Sequence, residues 1–376
     1  MRQTMRLLET LSLKGFRSIK ELENFKLGPI TVLVGANGSG KSNLIGFFRM
    51  MNCVMQGGLQ RFLQDGGGAS NFLHFGPART PIVEAALSFN TGAGVVNTYS
   101  FKLKFAAVDR LIFFQEYSLS KLDQEDSHQS LRIENNQPAE SALGRDLIPE
   151  SRVQQFIKRF LHNIRVFHFH DTSMTSSMRR NCDAADNLSL RAEGGNVAAV
   201  LLRLREEFPA HYRRIVAGVN TVFPELNDFE LVPTAGNGTS LLLRWHPASN
   251  PAETFGPAHL SDGTLRMIAL VTLFNLPEPM SPWMIILDEP ELGLHPAAEA
   301  CLASLIRSAS TQTQVILGTQ SATLVDHFKP SEVVVTEMHE GVSTFRRLED
   351  EKLSQWLKRY TLGEAWRKNV FGGRPE

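Results

Sequence analysis

The chain of 376 residues has only three cysteines, Cys53, Cys182 and Cys301, far apart and in none of the spacings that metal sites or dithiol chemistry use. This excludes a disulfide framework and leaves isolated thiols of the kind a cytoplasmic protein keeps reduced. Net charge is lacking as well: 39 Lys and Arg balance 39 Asp and Glu. No whole-molecule field therefore draws in a polyanion, and only local patches can. No apolar run approaches the length of a membrane span, and residues 1–20 lack the long apolar region of a secretory signal. These absences point to the cytoplasm and away from a membrane partner. Core-forming material is abundant, at 42% hydrophobic residues, enough for one large domain or a domain carrying an inserted lobe.

The most informative stretch begins at Ile30. Ile30-Thr31-Val32-Leu33-Val34 is an apolar β-branched run, Gly35-Ala36-Asn37-Gly38-Ser39-Gly40-Lys41-Ser42 is a glycine-rich turn, and Asn43-Leu44-Ile45-Gly46-Phe47-Phe48 carries apolar residues at helical spacing. Strand, turn and helix in this order make a phosphate-binding P-loop with every motif position filled. Glycines at 35, 38 and 40 let backbone N–H groups close on a polyphosphate where a Cβ would intrude. The helix starting near Lys41 adds the positive end of its dipole, Lys41 supplies a mobile charge for the β and γ phosphates, and Ser42 offers a hydroxyl to Mg²⁺. The residues expected around the nucleotide are Gly35, Ala36, Asn37, Gly38, Ser39, Gly40, Lys41, Ser42 and Asn43.

Residues 7–14 alternate as a half-buried strand, and Gly15-Phe16-Arg17-Ser18-Ile19-Lys20 turns into a second extended piece. Arg17 in this turn has two readings, a nucleotide contact and a solvated cation. Residues 82–90 and 99–108 predict a hairpin joined through 91–94, residues 111–119 another strand, and the polar residues 121–137 an exposed loop. From 150 to 231 the pattern turns helical, as in Val153-Gln154-Gln155-Phe156-Ile157 and Val197-Ala198-Ala199-Val200-Leu201. Three parts result: 1–149, an inserted lobe at 150–231, and 232–376. In the lobe Arg152, Lys158, Arg159, Arg165, Arg179, Arg180, Arg203, Arg205, Arg213 and Arg214 give a basic excess. Its two readings are a contact for DNA or an acidic protein, and solvated helix faces. His168-Phe169-His170-Asp171 lacks the further ligands a metal needs and reads as a polar cluster or lobe junction.

Pro282-Trp283-Met284-Ile285-Ile286-Leu287-Asp288-Glu289-Pro290 is an apolar run ending in two acids, the form of a buried parallel strand whose carboxyl end opens on a ligand crevice. Asp288 is expected to hold Mg²⁺ through its water shell, and Glu289 to polarise the water attacking the γ-phosphate. Leu260-Ser261-Asp262-Gly263-Thr264-Leu265-Arg266 combines a hydroxyl, a glycine and a helix start. That combination suits a phosphate and equally describes an N-cap.

These three motifs, with Glu291-Leu292-Gly293-Leu294-His295-Pro296 after the acids and the turn at 15–20 before the P-loop, resemble the ABC-type ATPase head of SMC, RecF and OLD-family proteins. Residues 167–173, Thr361-Leu362-Gly363-Glu364-Ala365-Trp366 and Gly372-Gly373-Arg374-Pro375 resemble a small bacterial RecF-like branch without a fused nuclease. The resemblance implies an α/β fold, an ABC-type P-loop ATPase head with a mixed sheet core, an antiparallel β subdomain and an inserted, mainly helical lobe. It implies ATP and Mg²⁺, with Lys41, Glu289 and Gln320 as the catalytic set and Ser42 and Asp288 toward the metal. It further implies a head-to-tail dimer around two ATP molecules, in which Ser261 and Gly263 reach the γ-phosphate bound to the partner's Lys41 and residues 292–295 line the seam. Gln320 stands where many relatives place a histidine; an amide cannot carry a proton, so slow hydrolysis is expected. For the glutamine that couples the metal to the lobe, the candidate is Gln115. The lobe is too short, and too poor in heptads, for a long coiled coil. The function so implied is an ATP-dependent switch controlling a separate effector such as a nuclease, in phage defence or DNA metabolism. The alternatives are a RecF-type clamp binding DNA through the basic lobe and, third, the energising subunit of a transporter.

Overall fold

The computed structural model describes residues 7–91, 95–122, 128–135, 137–145, 151–233 and 239–374. The chain opens with the hairpin β1 (Leu7–Phe16) and β2 (Ile19–Lys26), followed by β3 (Ile30–Val34), all five of whose residues are buried. After the glycine-rich turn come α1 (Lys41–Met55) and α2 (Leu59–Asp65), then β4 (Ile82–Asn90), β5 (Val95–Ala106), β6 (Arg110–Leu122) and β7 (His128–Arg132). Strands β2-β1-β4-β5-β6-β7 form one antiparallel sheet. Along β4, Val83, Ala85, Leu87 and Phe89 point inward while their neighbours are partly exposed, the period of two that a sheet with one covered face requires. The stretch 121–137, expected as a loop, contains β7, which pairs with β6 at Tyr117–Arg132 and Leu119–Ser130. An edge strand needs a backbone partner on one side only, and a polar composition suits it.

The second half holds α3 (Arg152–His162), β8 (Ile164–Phe167), β9 (Cys182–Asp183), α4 (Val197–Glu207), α5 (Pro209–Val222), β10 (Leu226–Glu230), β11 (Ser240–Leu241) and β12 (Arg244–Pro247). The remainder is α6 (Asp262–Phe274), β13 (Met284–Asp288), α7 (Pro296–Ala309), β14 (Gln314–Thr319), α8 (Ala322–Val325), β15 (Val333–His339), β16 (Val342–Arg347), α9 (Asp350–Leu353) and α10 (Leu362–Arg367). The second sheet runs β16-β15-β3-β14-β13-β8 and is parallel except for β16. Its residues alternate between two cores. Leu33, Ile286, Ile316 and Val334 join α1 and the antiparallel sheet, whereas Val32, Leu287, Val315 and Val335 join α4, α5, α6 and α7. Cover on both faces is why these strands read as unbroken apolar runs.

The lobe borders differ from the expected 150–231. Strand β8 pairs with β13, with Ile164 opposite Met284 and Phe167 opposite Leu287, and Phe160 of α3 lies 4.9 Å from Phe89 between ring centroids. Residues 151–167 are thus part of the head. At the other border, β10 pairs with β12 across position 231. Strand pairing sets these limits, and helical periodicity does not reveal it. The inserted part lies between β8 and α6 and combines α4 and α5 with the strand pairs β9–β11 and β10–β12.

Gln314 joins the two sheets. Wholly buried, it donates from Nε2 to the carbonyls of Leu8 (2.9 Å) and Gly28 (2.9 Å) and accepts at Oε1 from the Leu8 N–H (3.0 Å). Gln314→Leu would leave these backbone groups without partners. A loss of about 2–4 kcal/mol is expected, read as a lower midpoint in urea unfolding; an unchanged midpoint would show that the bonds add nothing.

Candidate nucleotide site

The turn between β3 and α1 has left-handed backbone at Gly38 (φ 75°) and Gly40 (φ 108°). Gly35 is needed for a different reason: a Cβ there would collide with the Thr336 carbonyl of β15. The Cβ position of Gly38 faces open space. The first turn of α1 has no side-chain cap, which leaves its N–H groups for an anion. Lys41, only 4% exposed, donates from Nζ to the carbonyls of Gly35 (2.7 Å) and Ala36 (2.9 Å). Burial pulls its pKa down, against the pull of Glu289, Asp288 and Glu291. Hydroxyl groups hold the loop from behind: Asn43 Nδ2 donates to Ser18 Oγ (2.6 Å), the Ser18 and Ser343 hydroxyls lie 2.7 Å apart, and Ser343 donates to the Ser39 carbonyl (2.8 Å). Sequence reasoning missed Ser18 and Ser343 in this role, because isolated serines distant in sequence carry no motif.

The acids end β13 on the same side. Asp288 Oδ2 accepts from Ser42 Oγ (3.0 Å), while Oδ1 is buried with no hydrogen-bond partner among the described residues. Burial pushes the Asp288 pKa up, and the Ser42 bond opposes the shift. An orphaned carboxylate oxygen beside a hydroxyl fits a hard divalent cation such as Mg²⁺. Glu289 has φ 43° and donates its N–H to the Gly318 carbonyl (2.8 Å). The Gln320 amide donates both to Glu289 Oε1 and to Asn37 Oδ1 (2.8 Å), so it bridges the acid and the phosphate loop. Gln320 is in turn held by Glu291, whose Oε1 accepts from Thr319 Oγ1 (2.5 Å) and the Gln320 N–H (3.1 Å). Burial raises the Glu291 pKa.

Two expected residues lie elsewhere. Gln115 sits on β6 opposite Lys102, in an open groove with Lys14 and Glu84 on the antiparallel sheet. At the exit of β8 toward the lobe stands His170, whose Nε2 is 2.6 Å from the Asp288 carbonyl oxygen. Arg17 turns away from the loop: its guanidinium carbon is 4.5 Å from the Phe72 ring centroid, and a Cβ on Gly46 in α1 would lie 3.3 Å from its Nη1. A left-handed backbone (φ 49°) and stacking on Phe72 set this pose, and burial lowers its pKa.

Ser261 caps α6, accepting at Oγ from the Thr264 N–H (3.1 Å), and a Cβ on Gly263 would lie 2.9 Å from the Gly293 carbonyl oxygen. Arg179, its side chain 5% exposed, donates to the carbonyls of Thr172 (2.8 Å), Pro257 and Leu260 (3.1 Å) and pairs with Asp262 (2.8 Å). Arg266 donates to the carbonyls of Phe169 (2.8 Å) and His170 (3.2 Å), linking α6 to the His170–Asp288 contact. No hydrogen bond among the described residues joins Ser261 or Gly263 to the loop at 35–42. The expected basic face is also thinner than its composition: Arg165 and Arg205 bond to carbonyls and Arg203 pairs with Glu207. Arg180, Arg213 and Arg214 remain exposed.

A P-loop and paired acids at the carboxyl edge of a parallel sheet, beside an antiparallel sheet and an inserted lobe, define an ABC-type P-loop ATPase head. Residues 30–326 match the family described as "AAA domain, putative AbiEii toxin, Type IV TA system", and the chain belongs to that family. Its fold is similar to an Smc head bound to the C-terminal winged-helix domain of ScpA (TM-score 0.60, 19% identity, 92% of this chain and 99% of that one). A Pyrococcus furiosus Smc head with an extended coiled coil, bound to the C-terminal domain of ScpA, is also similar (TM-score 0.57, 16% identity, 94% and 99%). No curated protein sequence matches. Family and fold are those of ATP-binding ATPases, which use a nucleotide and usually Mg²⁺. No helix among the described residues is long and apolar enough to cross a membrane.

Because the Asp288 pKa is higher folded than unfolded, its ionisation disfavours the fold. The penalty is absent below the ordinary carboxyl range and complete above the raised folded value. Asp288→Asn is therefore expected to raise the Tm of the metal-free protein at neutral pH, by roughly 2–4 °C, while abolishing Mg²⁺-dependent turnover. Scanning calorimetry in EDTA measures this; a lower Tm would contradict the burial argument.

Proposed function

We propose that the chain is a slow ATP-driven switch in which two heads close around two ATP molecules and hydrolysis reopens them. The observation that carries the proposal is the split arrangement: Lys41, Ser42, Asp288, Glu289 and Gln320 gather at one edge, while Ser261 and Gly263 stand at the start of α6 with no hydrogen bond to that edge among the described residues. In this reading, Ser261 and Gly263 serve the partner's nucleotide. ATP then binds the closed pair better than the open head and shifts the population toward it.

Lys41 leaves the Gly35 and Ala36 carbonyls for the phosphates. Glu289 orients the attacking water and takes its proton, held in place by Gln320 and the Gly318 carbonyl. Mg²⁺, when bound between Ser42 and Asp288, would neutralise phosphate charge. Gln320 positions but cannot take a proton, which keeps turnover slow. His170 and Arg266 carry changes at Asp288 to α6 and the inserted part. The two Smc heads described above are each bound to a domain of a separate protein. By the same plan, the closed state of this chain acts on a separate effector, with a nuclease of phage defence or DNA metabolism as the candidate.

Glu289→Gln should keep ATP binding and lower turnover at least a hundredfold. Light scattering of this variant is expected to show a dimer with Mg-ATP and none when Lys41→Ala is added. A monomer at saturating ATP would overturn the switch.

A further inference from the structure

Residues 371–373 lie beside the phosphate loop, and three bonds hold them there. The buried Trp366 of α10 donates from Nε1 to the Gly373 carbonyl (3.0 Å), Glu337 of β15 accepts from the Gly373 N–H (2.9 Å), and Arg346 of β16 donates to the Phe371 carbonyl. Gly372 and Gly373 are both left-handed, at φ 82° and 68°. A Cβ on Gly372 would lie 2.6 Å from Glu337 Oε1, and one on Gly373 would lie 2.6 Å from Val335 Cγ1 and 3.8 Å from the Cα of Gly35. No residue but glycine takes this double turn at low cost, and its effect is to lay the backbone against the first residue of the phosphate loop. The next residue is Arg374, which is exposed. No hydrogen bond or ion pair among the described residues engages it.

Charge at the site points the same way. Around the loop stand Asp288, Glu289 and Glu291, and the cation within it is Lys41, whose pKa burial lowers. Arg17 is stacked on Phe72, and Arg179 and Arg266 bond to backbone carbonyls. A polyphosphate carries several negative charges, more than Lys41 and one divalent cation balance, and a guanidinium fork matches phosphate oxygens in geometry. We infer that Arg374 is a nucleotide-binding residue, its guanidinium engaging the polyphosphate of the ATP held on the loop of its own chain. The inference rests on the ATP reading given above.

Titration of a fluorescent ATP analogue into wild type, Arg374→Ala, Arg374→Lys and Lys41→Ala tests it. Arg374→Ala should weaken binding on the order of tenfold, with the ligand-free Tm unchanged and the ATP-induced rise in Tm reduced. Arg374→Lys should recover part of the affinity. Binding by Arg374→Ala within twofold of wild type, while Lys41→Ala fails to bind, would overturn the inference and leave the ATP reading intact. Wild-type binding by Lys41→Ala would instead remove that reading and the inference with it.

Discussion

The register of three parallel strands is the constraint on which the rest depends. Val34 of β3 lies opposite Thr319 of β14, and Gly318 lies opposite Asp288 of β13. These pairings bring Gly35, Gln320 and Glu289 out of the sheet side by side. A one-residue slip would turn every side chain to the other face, and here each face packs into a different core, so the fit of the side chains within the two cores fixes the register. Gly318 shows how tight the edge is: a Cβ there would lie 3.1 Å from Asp288 Oδ1 and 3.3 Å from Ile45 Cδ1 of α1. The packing that orders the site also leaves Asp288 an oxygen without a hydrogen-bond partner among the described residues.

What was legible in the sequence was local. The strand, turn and helix around Gly35 to Ser42, the acids after β13 and the helix start at Ser261 can be read because the residues that cooperate are adjacent in the chain. Gln320 was reached through resemblance, and it lies against both Glu289 and Asn37. Contacts made by folding alone could not be read. Ser18 and Ser343 meet because a turn and a distant hairpin close on the same loop. Arg179 looks like one more surface cation in the sequence, yet it braces the start of α6 through three carbonyls and Asp262. The place of β8 beside β13 was hidden for the same reason, since helical periodicity does not show strand pairing. Arg17 was open between two readings, and the aromatic surface of Phe72 settled its pose.

The site also has a route out of the nucleotide edge. Asp288 meets His170 through its carbonyl oxygen, His170 and Phe169 meet Arg266 through theirs, and Arg266 lies on the helix that Ser261 caps. Arg266 is buried, and hydrogen bonds donated by its charged guanidinium to the two carbonyls are the stronger kind. A displacement at the acids therefore bears on α6 through a chain of bonds that is exposed at His170 and buried at Arg266. In the proposed dimer this would join each head's own acids to the face it presents to its partner.

That the two halves of each site come from different chains is the central claim, and mixing tests it most directly. Lys41→Ala and Ser261→Arg proteins, each without turnover alone, are combined and assayed for ATP hydrolysis. If sites are completed in trans, a mixed dimer holds one intact site, built from the Lys41 of one chain and the Ser261 of the other, and turnover returns. If the mixture stays as inactive as its components while mixed dimers are shown to form, the two halves serve one chain and the account is wrong.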